Sequence, residues 1–166
     1  MSKSEDDIAA VITTRNGLTR GFLFDAIDSV LAQTLRPREV LLVDDASTDG
    51  TVDAVRHKFG DAVPVLCLAQ NLGPSGARNA GVAATQSPLI AFLDDDDQWL
   101  AHRLEVQLPS MASGTTALVF GSVEVVNSEG KSVPQRRPIY PEGFTWPGIL
   151  FHNAVQGPAT VFRSRR

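Results

Sequence analysis

Four carboxylates stand in a row at Asp94-Asp95-Asp96-Asp97, directly after the apolar run 89–93. Like charges at that density repel, so the arrangement costs free energy unless a cation neutralises it. A divalent ion held by one or two of these carboxylates would keep open positions for phosphate oxygens, and an all-oxygen set favours magnesium, manganese or calcium over zinc. The competing reading is a solvated acidic turn in which Asp96 or Asp97 favours the N-terminus of the next helix. An EF-hand describes the segment less well, because the alternating ligands, central glycine and terminal glutamate of that loop are missing.

Two further clusters carry chemistry. Asp44-Asp45, followed by Ala46-Ser47-Thr48-Asp49-Gly50-Thr51, also succeeds an apolar run. Carboxylates at a strand end can accept hydrogen bonds from a base N–H or from ribose hydroxyls, whereas a capped turn accounts for Ser47 to Asp49 without any ligand. Residues 71–81, Asn-Leu-Gly-Pro-Ser-Gly-Ala-Arg-Asn-Ala-Gly, are rich in glycine and open a helical pattern, so backbone N–H groups and Arg78 can face a phosphate. The Gly-Lys-Ser/Thr ending of a Walker loop is absent, and the segment does not follow the first strand as a dinucleotide fingerprint would.

The elements that must position these clusters follow from periodicity. Residues 8–13 form a β-rich run, then Leu23, Ile27, Val30 and Leu31 recur at helical spacing, and Pro37 ends that helix. A second strand at 39–43, a helix with Val52, Val55 and Phe59, a third strand at 63–68, a small-residue helix at 77–84 and a fourth strand at 89–93 complete the alternation βαβαβαβ. Short continuous apolar strands between helices predict an α/β fold with a mostly parallel sheet covered on both faces, and ligands at the carboxyl ends of the strands. All three polar clusters sit at such ends. Beyond them the pattern predicts a helix at 101–111, a long strand at 117–126, a hairpin turn at Asn127-Ser128-Glu129-Gly130 with a return at 131–133, an irregular loop at 135–147 and a strand at 160–166.

Bulk properties narrow the field. At 166 residues with 43% hydrophobic side chains, the chain reads as one domain spanning 1–166. A net charge of −4 and a pI near 5.3 supply no basic field, which argues against nucleic acid as a partner. The single cysteine, Cys67, excludes an internal disulfide framework and a cysteine zinc cluster, and is expected as a small buried apolar residue. Residues 1–7 are polar and acidic, unlike a secretory signal, and no apolar run reaches the ~20 residues of a membrane span. No transmembrane segment is predicted; the expected location is cytoplasmic, with peripheral docking at the inner membrane face as an option.

Taken in order, Val11-Ile12-Thr13-Thr14-Arg15-Asn16, Ser29-Val30-Leu31-Ala32-Gln33-Thr34, the segment 43–51, the segment 71–81 and Phe92-Leu93-Asp94-Asp95-Asp96-Asp97 resemble the family 2 glycosyltransferases. The resemblance implies a GT-A fold that transfers a sugar from a UDP-, GDP- or dTDP-linked donor to a saccharide, lipid-linked or protein acceptor, usually with inversion, using Mn2+ or Mg2+. It implies that Thr13 and Arg15 line the base pocket, that Asp45 accepts a hydrogen bond from the base and that Arg78 approaches the diphosphate. The Asp-x-Asp motif falls on Asp94 and Asp96 as metal ligands, Asp94 lying nearer the ribose, and Asp95 stays in the nucleotide-binding set because the run of four leaves the register open by one residue. Residues 8–108 would form the donor-binding core and 115–166 the start of the acceptor side.

The pattern departs from the family in two places. Arg15 stands where Tyr is common; its guanidinium plane can stack on a base as an aromatic ring does, or it is an ordinary surface cation. The family's catalytic Asp or Glu lies well downstream of the metal motif, and residues 157–163 resemble the strand preceding it, so the base is expected to be absent from this chain; Glu124, Glu129 and Glu142 lie outside that setting. Such an early end would expose apolar surface suited to a homodimer. His57, His102 and His152 lack metal-type spacing, Trp99 and Trp146 read as packing although Trp146 falls where acceptors of this family bind, and Arg136-Arg137 reads as a solvated loop. Two other functions remain: a non-catalytic nucleotide- or sugar-binding module without the base, and a calcium-responsive acidic-loop interaction protein.

Overall fold

A computed structural model describes residues 8–112, 114–127, 130–133 and 160–164. Strand β1 (Ile8–Thr14), buried along its whole length, is the spine of the sheet. It pairs in parallel with β2 (Glu39–Asp44) on one side and β4 (Leu89–Asp94) on the other, in a register that sets Thr14 opposite Asp44 and Thr13 opposite Asp94. Among the described residues the order of the six strands is β3-β2-β1-β4-β6-β5, with β3 (Val65–Cys67) parallel to β2 and β6 (Thr160–Arg163) antiparallel to β4 and β5 (Leu118–Phe120). The order turns back between β1 and β4, and the crevice at the carboxyl ends beside such a reversal is where open α/β sheets bind ligands.

The helices are α1 (Gly17–Arg20), α2 (Leu23–Leu31), α3 (Thr51–Phe59), α4 (Gly73–Ala84) and α5 (Arg103–Gln107). The larger apolar cluster joins Ile8, Ala10 and Ile12 of β1 to Leu23, Ala26, Ile27 and Val30 of α2, Val55 of α3 and Leu104 of α5. The opposite face packs Val11, Val43 and Ile90 against Ala77 of α4. The small residues of α4 have a steric reason: a Cβ on Gly81 would press into Val11 and sit 3.1 Å from Val43, so the helix lies against the sheet only because that position lacks one.

Several elements differ from the sequence reading. The third strand shrinks from 63–68 to Val65–Cys67; Val63 is buried, and the Pro64 carbonyl accepts from the Leu42 N–H. Cys67 is exposed rather than buried, because it ends a short strand at the sheet edge; its Sγ lies 3.8 Å from the Arg56 guanidinium. The helix at 101–111 is α5 followed by a 3-10 turn at Leu108–Met111, where Pro109 removes a backbone donor. Among the described residues the strand at 117–126 is reduced to β5, and the hairpin to one bridge, Val126 to Ser132, with Gly130 at φ 74°. The last strand stops at Arg163. The loop at 135–147, with Arg136, Arg137, Glu142 and Trp146, lies outside the described residues, as do Glu129 and His152.

Arg103 ties α5 to the antiparallel flank. It stacks on Trp99, 4.2 Å from ring centre to guanidinium carbon, and donates to the Thr160 carbonyl at 2.9 Å. Burial pushes its pKa down to about 9, which still leaves it a cation at neutral pH. Trp99 is only 5% exposed, so it packs as expected, whereas His57 and His102 are surface residues. No helix among the described residues is long and apolar enough to cross a membrane.

Candidate functional site

The carboxyl ends of β1, β2 and β4 surround a cavity of about 440 Å³, within the size range of small-ligand sites. Its lining includes Thr13, Arg15, Asp45, Arg78, Asp94, Asp95 and Asp96, so every residue selected from the sequence as nucleotide- or metal-binding meets in one place. Thr14, Arg20, Asn71, Gly73, Pro74 and Ala77 complete the wall.

The loops on this rim are stitched to one another. Asn16 adopts a left-handed conformation, φ 54°, which local side-chain hydrogen bonding lets asparagine reach; its N–H donates to the Ser47 hydroxyl at 2.8 Å, and its side-chain oxygen accepts from the Thr48 N–H at 2.9 Å. The Leu18 N–H donates to the Thr51 hydroxyl, and Asp49 accepts from the Thr19 N–H and hydroxyl and from the Thr51 N–H and hydroxyl. Slight burial raises the Asp49 pKa, but hydrogen bonds from Thr51 and Thr19 outweigh it and hold it at about 2. Ser47, Thr48 and Asp49, which read as local helix caps, therefore fasten a loop some thirty positions away.

Asp45, 4% exposed, accepts the Leu72 N–H at 2.7 Å and the Gly73 N–H at 2.9 Å on separate oxygens. It thereby moors the glycine-rich loop to the end of β2. Each carboxylate oxygen has a second lone pair, so mooring leaves acceptor capacity for a ligand in the cavity.

The acidic run at the end of β4 is held differently. One guanidinium nitrogen of Arg78 straddles both Asp94 oxygens at 2.6 and 2.8 Å, and the Thr13 hydroxyl donates to Asp94 at 3.3 Å. Asp95, 4% exposed, takes the Thr14 hydroxyl and the Arg20 guanidinium. The Asp96 side chain is 55% exposed, with Arg20 at 3.8 Å. Burial raises the pKa of Asp95, against the opposing pull of Thr14 and Arg20; partial burial together with the charges of Asp96, Asp94 and Asp95 raises that of Asp97. Downstream, the backbone N–H of Trp99 donates to the Ser29 hydroxyl, and Gln33, just past α2, bridges the Leu100 carbonyl and the Leu104 N–H, so the C-terminal end of α2 fixes the exit of the acidic loop.

The donor set suits a hard divalent cation. Asp94 and Asp96 offer only oxygens, one of them on a largely exposed side chain, and among the described residues no group of three or more His, Cys, Asp or Glu closes around a metal. A cation held by these two carboxylates would keep positions for water and phosphate oxygens. Arg20 escaped the sequence reading. It sits on a four-residue helix, 75 positions from Asp95, and no local pattern marks the pairing.

Comparison with known proteins supplies independent information. The family model described as Glycosyl transferase family 2 matches residues 9–164. The chain is 34% identical over 149 residues to the putative teichuronic acid biosynthesis glycosyltransferase TuaG of Bacillus subtilis, covering 88% of this chain and 58% of that protein. It is 34% identical over 118 residues to the UDP-Glc:alpha-D-GlcNAc-diphosphoundecaprenol beta-1,3-glucosyltransferase WfgD of Escherichia coli, covering 69% and 47% respectively. It thus spans about half the length of these relatives. The structure of the mannosyltransferase PcManGT from Pyrobaculum calidifontis in complex with GDP-Man and Mn2+ superposes with a TM-score of 0.68 at 19% identity, over 97% of this chain and 45% of that one, which establishes the shared fold.

Proposed function

The chain belongs to glycosyl transferase family 2, and from that premise we propose that its cavity binds a nucleoside-diphosphate sugar together with Mn2+ or Mg2+ for transfer of the sugar, with inversion, to an acceptor hydroxyl. The observation that carries this reading is the convergence of Asp45, Arg78, Asp94 and Asp96 on one cavity at the reversal of strand order. Thr13, Arg15 and Asp45 are the proposed base contacts, Asp94 the proposed ribose contact with Asp95 beside it in the nucleotide-binding set, and Arg78 the proposed partner of the diphosphate. UDP is the first nucleotide to try, since the name of WfgD specifies UDP-Glc.

Asp94 and Asp96 would hold the metal. When bound, the ion supplies Lewis-acid charge to the diphosphate oxygens as the glycosidic bond breaks. Arg78 contributes in the same sense: once a diphosphate enters, its guanidinium can turn from the Asp94 carboxylate to phosphate oxygens, which would free Asp94 for the ion. In the transfer itself the acceptor oxygen bonds to the anomeric carbon, the bond to the diphosphate breaks, and the acceptor proton passes to a base. The role of that base is assigned to no described residue.

The glycosyltransferase reading is preferred to a non-catalytic module on the strength of family membership. Calorimetric titration of UDP, GDP and dTDP, with and without Mn2+, tests it on the wild type and on Asp96→Ala. Binding that requires Mn2+ and disappears in Asp96→Ala supports the assignment; binding indifferent to both the ion and the substitution sinks it.

A further inference from the structure

Arg20 stands between two carboxylates of opposite character. Its guanidinium donates to Asp95 and, at 3.2 Å, to the Arg15 carbonyl, while its other terminal nitrogen is 3.8 Å from Asp96. Asp95 is 4% exposed, and the oxygen that takes Arg20 also accepts from the Thr14 hydroxyl, whereas Asp96 is 55% exposed. Space for this arrangement is reserved in the backbone: a Cβ on Gly17 would crowd the Thr14 hydroxyl and lie 2.8 Å from the Asp95 oxygen.

A guanidinium this close to Asp96 is a competitor for any cation that Asp96 is to hold. What limits the competition is Asp95. A buried, twice-bonded carboxylate holds the guanidinium in a charge-assisted hydrogen bond, whereas the looser, solvent-screened contact to Asp96 is weak and easily surrendered. The geometry points to Asp95 as a positioning residue that holds Arg20 away from Asp96 and so leaves Asp96 open to the divalent ion. This rests on the assignment of Asp96 as a metal ligand. The second aspartate of the run then has work that is not ligation, and Arg20 is its necessary counterpart.

The consequence is a particular pattern of compensation. In Asp95→Asn the anchor loses its charge, Arg20 moves onto Asp96, and Mn2+ binding weakens. Removing Arg20 as well, in Arg20→Gln/Asp95→Asn, removes the competitor and restores binding. A clasp that merely held the loop in shape would give the opposite pattern, with the double variant at least as impaired as either single one.

The test is titration of the chain with Mn2+ at saturating UDP, following the electron paramagnetic resonance signal of free Mn2+, with a circular dichroism melt on each variant. Asp95→Asn should weaken Mn2+ about tenfold (~1.4 kcal/mol), and the double variant should return to within about threefold of wild type. Arg20→Gln alone should bind Mn2+ at least as well as wild type, which keeps the inference open to refutation even if Asp95→Asn fails to fold. An Arg20→Gln variant weakened tenfold, or a folded double variant no better than Asp95→Asn, overturns it. If Asp96→Ala binds Mn2+ like wild type, the metal assignment itself falls and the inference with it; loss in Asp96→Ala without rescue in the double variant refutes the inference alone.

Discussion

The two acidic loops of this molecule use the same side chain in opposite ways. After β2, Asp44, Asp45 and Asp49 accept backbone N–H groups from Ser47, from Leu72 and Gly73, and from Thr19 and Thr51. After β4, Asp94 and Asp95 are neutralised by the guanidinium groups of Arg78 and Arg20 and by threonine hydroxyls, and Asp96 is largely in water. A carboxylate bonded to amides cannot change partner without moving the main chain. A carboxylate bonded to side chains can, because rotamer changes suffice. The first loop, held mainly by amides, is therefore scaffold, and in the second Asp94 and Asp96 are exchangeable, which is the property a site needs if it is to admit a cation and a diphosphate.

The largest effect that would sharpen this contrast is on stability at Asp45. Asp45→Ala takes the acceptor from the Leu72 N–H and leaves the Gly73 N–H with only the Asn71 side-chain oxygen, and we expect a loss of about 1–3 kcal/mol in chemical denaturation. A change within experimental error would mean that the glycine-rich loop finds its own partners. Asp97→Asn should behave in the opposite sense: it relieves crowding by Asp94, Asp95 and Asp96, so the fold should be unchanged or stabilised by no more than about 1 kcal/mol, solvent screening keeping the gain small. A marked destabilisation would place the β4 run with the scaffold.

The smallest effect is a difference in pH dependence. Asp49 has its pKa lowered in the fold to about 2, so its stabilisation is fully present above the unfolded value near 3.8 and disappears as pH falls through about 2. The Asp97 pKa is raised in the fold, so its protonated form is favoured there and its penalty appears as pH rises above the unfolded value. Denaturation curves of wild type, Asp49→Asn and Asp97→Asn between pH 2 and 7 should show the Asp49 difference shrinking toward acid, and the Asp97 difference, opposite in sign, also shrinking toward acid. Like-signed differences would abolish the distinction between the loops.

Much of the sheet was legible because buried parallel strands must be continuous apolar runs, and residues 8–13, 39–43 and 89–93 are such runs. Cys67 was misread for the converse reason: its run looks the same locally, but β3 ends at the sheet edge, a fact of topology. The strand at 117–126 was overlong because β propensity does not specify a partner, and only residues 118–120 find one in β6. Asp45 and the acidic run stand out in the sequence because a polar residue at the end of an apolar strand faces the carboxyl edge of the sheet, and Arg78 because it lies in a glycine-rich segment that opens a helix.

Residue order alone thus determined the alternation of strands and helices and the identity of the chemical groups, since both are set by local pattern and side-chain type. Which groups neutralise which was decided only by tertiary structure. The Arg78–Asp94 pair spans 16 positions and Arg20–Asp95 spans 75, and the amides that satisfy Asp45 come from a loop 27 positions further on. Charge pairing depends on distance in space, and the reversal of the sheet between β1 and β4 sets that distance.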